Sequence, residues 1–393
     1  MKKLKIAIFS EIYLPTINGV VVSIQTFKKE LEKRGHTIYI FAPENKNYKD
    51  EKNVFRFPSF EIPKLNFYPV AFPWVKYSSF SGKWFEIASS CDLVHSQHLF
   101  TMGNLGLRTA RKAKIPIVYT YHTLIADYVH YVPLVGSIFK SYIIHLSRKY
   151  CNAVDQVVTP SQPMKKKLIE YGVKTNIEPI STGVYLEKFT REDSTKFRTE
   201  NNIAKEDKIL LFVGRMAAEK NVEFLLKAFP KINERCPNTH LVLVGSGPDE
   251  KKYQNFAQKL PCFKKISFLG QRPKEETEKI FGYSDLYVFP SITETQGIVV
   301  VEAMAAGTVP VAINKLGPSE IIDSGINGYL SELDEEDFSH RVCDLVQNEE
   351  KRQKFALAAK EKAKEYSAQN CAQKMENLYY KLLEEKSTQK DLT

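Results

Sequence analysis

Apolar runs of strand length alternate with amphipathic stretches of helix length along this chain, and the alternation starts twice. KLKIAIFS reads as a buried strand, and a helical pattern from about Gly19 to Lys33, closed by Gly35, leads into the strand HTIYIFAP. DLVHS, IPIVYTYHT and DQVVTPS are further strands, separated by helical patterns over Met102–Ala113 and Leu134–Tyr150. Near STGVYLEKF (181–189) the pattern restarts with KILLFVG and a helix over 219–234. THLVLVG, a helix near 249–259, ISFLG, a helix over 273–282, LYVFPS and VPVAI follow, and helical patterns fill 334–386. Strands alternating with helices imply parallel sheets with crossover connections. A chain of 393 residues is too long for one ordinary core, so the class is α/β in two successive units.

In open parallel sheets, ligands bind beyond the C-terminal ends of the strands. The unusual polar groups of this chain fall there repeatedly. EIYLPTINGV follows the first strand, with Asn18-Gly19 at a helix start, and His122 ends IPIVYTYH. GRMAAEK follows KILLFV and sets Arg215 and Lys220 at a strand-to-helix junction. GSGPD follows HLVLV, and TETQGIVVVEAMAAG follows LYVFPS. The alternatives are plain ones: GSGPD as a tight turn that needs glycine anyway, His122 as a buried hydrogen-bonded histidine, Arg215 and Lys220 as surface charge.

The side chains suit an anionic sugar ligand. Arg215 and Lys220 at a helix start make a cationic site for phosphate, helped by the dipole and free N–H groups there. Gln296-Gly297-Ile298 opens another helix, with Gly297 allowing close backbone approach and Glu302 five residues in. A carboxylate accepts from two adjacent hydroxyls, so Glu302 suits a ribose and Glu294, on the preceding loop, a sugar. No Asp-x-Asp occurs, so the usual carboxylate pair for a divalent metal on a diphosphate is missing, and no metal is expected.

These residues carry a family resemblance that covers essentially the whole chain. The sequence resembles the retaining glycosyltransferases of family 4, through ETQGIVVVE, GRMAAEK, VGSGPD and SEIYLPTINGV. Within them it is most similar to the diacylglycerol glycosyltransferases, which make monoglycosyldiacylglycerol; YTYHTLIADYVHYV (119–132) and PTINGVVVSI carry that match. The resemblance implies the GT-B fold, two Rossmann-like domains facing across a cleft. The domains expected are 1–181 and 182–370, with a last helix, 371–393, returning to the first. It implies transfer of glucose or galactose from UDP-glucose or UDP-galactose to the 3-hydroxyl of diacylglycerol with retained configuration. Arg215 and Lys220 would hold the donor diphosphate, Glu294 the hexose, Glu302 the ribose, and Gly19 the phosphate from the other domain. Gln296, Gly297 and Ile298 complete the donor side. His122 would face the hexose, and Asp127, Tyr128, His130 and Tyr131 match the acceptor side. Asn18 stands where many relatives have a second glycine. Phosphatidylinositol, a polyprenyl-linked glycan or a soluble sugar are the alternative acceptors. Equatorial and axial hydroxyls are read by pocket geometry, which leaves glucose and galactose both open.

Charge and composition bear on the setting. Residues 1–180 hold 25 Lys/Arg against 13 Asp/Glu, while the rest hold 31 against 33. A basic first half points to an anionic partner on that side, or to a lysine-rich solubilising surface. Nucleic acid is not expected, because no aromatic RNA-binding signature accompanies the charge. A nicotinamide dehydrogenase lacks support too, since no G-x-G-x-x-G follows the first strand. Six scattered cysteines without CxxC read as reduced cytosolic thiols, and no apolar segment approaches bilayer length. Phe60–Phe85 holds both tryptophans, Trp74 and Trp84, among Lys64, Lys76 and Lys83. With Lys165–Lys167 and the apolar stripe of helix 134–150, this suggests a face on an anionic membrane, hence peripheral association at its cytoplasmic side. Core packing is the alternative for the stripe and the tryptophans alike.

Overall fold

The structure, a computed structural model, describes residues 2–45, 48–62, 68–72, 74–75, 81–123 and 136–391. It divides into two compact units, Met1–Gly183 with Ala368–Thr393, and Val184–Ser367. The first contains β1 (Lys5–Phe9), α1 (Gly19–Lys33), β2 (Thr37–Pro43), β3 (Val54–Phe57) and a hairpin of β4 (Ser59–Ile62) and β5 (Tyr68–Ala71). It continues with α2 (Lys83–Ser89), β6 (Leu93–Ser96), α3 (Thr101–Ala113), β7 (Ile117–Thr120), α4 (Gly136–Cys151), β8 (Gln156–Thr159), α5 (Gln162–Glu170) and β9 (Ile177–Pro179). Seven strands form a parallel sheet in the order β3-β2-β1-β6-β7-β8-β9.

Both faces of that sheet are covered, which explains why its strands are apolar along their length. Along β1 successive side chains alternate. Ile6 and Ile8 join a core with Ile24 and Leu31 of α1, while Ala7 and Phe9 join a core with Met102 and Leu105 of α3 and Tyr150 of α4.

The second unit contains α6 (Thr195–Glu200), β10 (Lys208–Val213), α7 (Val222–Arg235), β11 (Thr239–Val244), α8 (Glu250–Ala257), β12 (Ile266–Gly270) and α9 (Lys274–Tyr283). After these come β13 (Leu286–Phe289), α10 (Ile298–Ala306), β14 (Val309–Ile313), α11 (Pro318–Ile321), β15 (Tyr329–Ser331), α12 (Glu335–Gln347) and α13 (Glu349–Ala363). Its parallel sheet has the order β12-β11-β10-β13-β14-β15. The last helix, α14 (Ala368–Asp391), packs Met375, Tyr379 and Leu382 into the core that α1 shares with the first sheet. There the Tyr379 hydroxyl is 2.6 Å from His95 Nδ1, and Glu376 Oε1 is 2.7 Å from His36 Nε2. Among the described residues no helix is long and apolar enough to cross a membrane. All six cysteines are free and buried.

Sequence periodicity finds the inner strands and passes over the edge strands β3, β9 and β15 and the hairpin of β4 and β5, each only three or four residues long. The aromatic segment divides. Trp84 is half-buried and packs edge-on against Phe41 and Phe57 of the core, whereas Trp74 is 61% exposed and stacks on Phe72 at 4.5 Å. The stripe on α4 divides likewise: Tyr150 is buried and Tyr142 is 55% exposed. Lys64, Lys76 and Val135 lie outside the described residues.

Candidate functional site

In each sheet the strand order reverses once, between β1 and β6 in the first unit and between β10 and β13 in the second. The loops leaving such a pair of strands diverge and open a crevice between them. In the second unit these loops are residues 214–221 and 290–297. They are tied together: the Ser291 and Thr293 hydroxyls donate to the Glu219 carbonyl at 3.2 and 3.1 Å, and the Asn221 amide donates to the Pro290 carbonyl at 3.3 Å.

That stitching sets the central contact. Lys220 Nζ donates to Glu294 Oε2 at 2.6 Å, and the N–H groups of Gln296 and Gly297 donate to the other carboxylate oxygen at 3.3 Å each. Burial pushes the Glu294 carboxyl up, but the Lys220 charge and these hydrogen bonds outweigh it and hold the group below its ordinary value. The Lys220 ammonium also lies 5.7 Å from the centre of the Phe289 ring. Gly297 caps α10 at φ +75°, where a side chain would be strained and its Cβ would sit 2.8 Å from Ile321 Cδ1. Glycine there lets the chain turn into α10 where the 317–321 segment packs against it.

Arg215 and Lys220 occupy the junction but not the start of a helix. Lys220 ends a 3-10 turn, Ala218–Lys220, and Asn221 in the left-handed region (φ 53°) separates that turn from α7. Arg215 is 67% exposed, with Glu219 at 3.9 Å. Glu302 lies in the middle of α10, whose other residues are apolar. Among the described residues no hydrogen bond reaches its carboxylate. Burial raises it to about 7, partly opposed by Lys274 and reinforced by Glu278. The buried Tyr287 hydroxyl is raised by burial and then by the charges of Glu294 and Glu302, which brings both acids near one ring. The GSGPD turn is structural: a Cβ on Gly247 would meet the Met216 carbonyl oxygen at 2.4 Å.

The crevice of the first unit has a different chemistry. Asn18 adopts ordinary extended backbone (φ −151°) and caps α1, its side-chain oxygen accepting from Val21 N–H at 3.0 Å, so no second glycine is needed there. Gly19 is the first residue of α1, with open space where a Cβ would stand. His122, just past β7, has Nε2 2.7 Å from Gln97 Oε1. Burial, then the charges of His98 and His95, hold this imidazole well below its usual range. Asp127, Tyr128, His130 and Tyr131 lie outside the described residues.

Sequence reasoning passed over Glu11, Gln97 and His98, although Gln97-His98 directly follows the strand DLVHS and carries the same strand-end signal as His122. Glu11 is buried and accepts from the N–H groups of Met102 (2.5 Å) and Gly103 (3.5 Å), capping α3. Burial raises its carboxyl to about 7 against those bonds. The Glu11 N–H donates to His98 Nδ1 at 3.1 Å, and burial lowers His98 to about 4.

Comparisons with known proteins agree with this layout. Residues 17–188 match the family model for Glycosyltransferase Family 4, and residues 193–362 that for Glycosyl transferases group 1. The chain is 32% identical to an alpha-monoglucosyldiacylglycerol synthase of Streptococcus pneumoniae, over 99% of this chain and 88% of that protein. It is 29% identical to an alpha-monoglucosyldiacylglycerol synthase of Acholeplasma laidlawii, over 97% and 98% of the two. Among solved structures, Anabaena HepE in complex with UDP superposes with a TM-score of 0.76 at 18% identity, over 97% of this chain and all of that one. Sucrose-phosphate synthase from Thermosynechococcus elongatus gives 0.75 at 18% identity, over 97% and 99%.

Proposed function

The chain belongs to the family 4 glycosyltransferases with the GT-B fold, and on that premise we propose its donor, acceptor and site. It moves glucose from UDP-glucose to the 3-hydroxyl of 1,2-diacylglycerol with retention, giving α-monoglucosyldiacylglycerol for membrane glycolipid. The observation that carries the donor side is the Lys220–Glu294 pair at 2.6 Å between the switch-point loops, with the exposed Arg215 on the same loop as Lys220. Glu294 anchors Lys220 and meets the hexose, while Lys220, Arg215 and the start of α10 at Gln296, Gly297 and Ile298 hold the diphosphate. Glu302 takes the ribose hydroxyls, and Gly19 offers a bare helix start to the phosphate. As the bond from the anomeric carbon to the diphosphate breaks, the bond to the acceptor oxygen forms on the same face, and the acceptor's proton passes to the departing UDP. The cations stabilise the departing charge, so a divalent metal is not required. The acceptor is inferred from the two lipid-glucosylating relatives, with Asp127, Tyr128, His130 and Tyr131 on its side.

The acceptor lies in a bilayer, and the first unit has a face suited to one. α3 and α4 cover the same side of the sheet and carry no acid, while Arg108, Arg111, Lys112, Lys140, Arg148 and Lys149 are exposed; the flanking helices α2 and α5 on that side bring one acid each, Glu86 and Glu170. The helices on the other side, α1 and α14, carry both signs of charge. Each lysine or arginine near anionic lipid contributes about 1 kcal/mol. Docking at the inner face of the cell membrane follows, with the exposed Trp74 at the interface.

The test is to incubate the full chain with UDP-glucose or UDP-galactose and diacylglycerol vesicles, then identify the lipid. An α-glucosyl lipid is expected from UDP-glucose. Product only from another nucleotide sugar, or only on a soluble acceptor, rejects this reading. Vesicle co-sedimentation checks the face: binding rises with anionic lipid and drops when Arg111, Lys112, Arg148 and Lys149 become serine. Undiminished binding of that variant removes the face from α3 and α4.

A further inference from the structure

Beyond the residues assigned above, the first unit holds a buried amide placed against the histidine of its crevice. Gln97 and His122 leave the ends of neighbouring strands, β6 and β7, whose register pairs Ser96 with Tyr119. The backbone on both sides is anchored: Gln97 N–H donates to the Phe9 carbonyl at 2.9 Å, and Tyr121 N–H donates to the Val158 carbonyl at 2.9 Å. Gln97 is 5% exposed, and its Oε1 stands 2.7 Å from His122 Nε2. A carbonyl oxygen only accepts, so this contact requires hydrogen on Nε2. Among the described residues no hydrogen bond reaches Nδ1.

We propose that Gln97 is a positioning residue for His122, holding it as the Nε2–H tautomer so that Nδ1 accepts a hydrogen bond from a donor-hexose hydroxyl. The tautomer of an imidazole is set by the bond its other nitrogen makes, and a neutral amide fixes it without adding charge. The surroundings favour the neutral ring. Among the described residues, the titratable groups whose charge reaches His122 are His98 and His95, and burial lowers both of them too. His98 accepts the Glu11 N–H through Nδ1, and His95 is bonded at both nitrogens, to the Tyr379 hydroxyl at 2.6 Å and the Thr120 hydroxyl at 2.7 Å. A row of uncharged imidazoles suits uncharged sugar hydroxyls, whereas an imidazolium has no acceptor to offer.

The inference rests on the glycosyl-transfer reading, but its first test does not. Nitrogen-15 NMR of the labelled full chain separates the two neutral tautomers from the imidazolium. The expected wild-type state of His122 is Nε2–H from pH 6 to 8. Gln97→Leu should mix the tautomers and lower kcat about tenfold, with a smaller change in KM for UDP-glucose. Gln97→Glu should hold His122 as the imidazolium and add a pH limb that the wild type lacks, with kcat recovering as pH rises and the ring deprotonates. A merely structural role would lower both variants alike at every pH. An Nδ1–H wild-type tautomer, or a tautomer unchanged in Gln97→Leu, overturns the proposal. If no nucleotide sugar is turned over while the NMR results hold, the functional reading fails and the Gln97–His122 assignment stands.

Discussion

The two units use one strand order around a central strand and place their polar loops at the same reversal, yet they fill the crevice with opposite chemistry. In the second unit the loops carry full charges, Lys220 locked to Glu294 at 2.6 Å and Arg215 exposed. In the first, burial favours the uncharged forms: His122 and His98 are pushed down, and Glu11 is pushed up to about 7. A doubly wound sheet supplies only the place, and the electrostatics of that place come from how far each loop is desolvated and what it is paired with. Charged groups suit a diphosphate, and neutral donors and acceptors suit sugar hydroxyls.

Breaking the charged half should have the largest effect. Lys220→Ala and Glu294→Gln are each expected to lose about 2 to 4 kcal/mol of transition-state stabilisation, roughly 30- to 1,000-fold in kcat/KM. Near-normal turnover at saturating donor in either variant would show that the pair serves folding alone.

A smaller effect should come from Glu302, the acid of the charged half in which burial prevails and raises the carboxyl to about 7. Only its ionised form accepts two ribose hydroxyls, so UDP affinity should weaken about fourfold from pH 8 to 6.5. Glu302→Gln should lose about tenfold at pH 8 and abolish that slope, as read by calorimetric titration; a slope retained in the variant assigns it to the phosphate instead.

In the neutral half, Glu11→Gln keeps an oxygen for the Met102 N–H but cannot ionise. The folded carboxyl titrates above its ordinary value. The wild type therefore keeps its full stability below that ordinary value and loses it as pH rises to about 7. The variant should gain about 2 to 3 kcal/mol over wild type at pH 8 relative to pH 5, several degrees in Tm. Equal Tm differences at both pH values would mean that Glu11 is not desolvated.

The smallest expected effect is that of a chelator. With cations stabilising the leaving group, transfer should stay within about a factor of two in excess chelator. Full loss reversed only by a divalent cation would place a metal in the charged half.

The twofold alternation was legible in the chain because strand and helix periods differ and crossovers dictate parallel pairing. So was the position of Arg215, Lys220, Glu294 and Glu302, since strand ends can be counted along a sequence. What periodicity could not reach was the pairing state of those groups. Lys220 meets Glu294 across 74 residues, through loops whose approach depends on the Ser291, Thr293 and Asn221 hydrogen bonds. Trp74 and Trp84 are alike in sequence context, yet one is exposed and the other packs on Phe41 and Phe57. Gln97 and His122 are 25 residues apart and are brought together only by the pairing of β6 with β7. The sequence by itself determined the α/β class, the repeated sheet and which strand ends carry polar groups, because these follow from local period and chain order. Only the tertiary structure decided which acids are charged, which histidines are neutral and which aromatic rings face water. Desolvation and pairing are properties of neighbours brought in from distant parts of the chain.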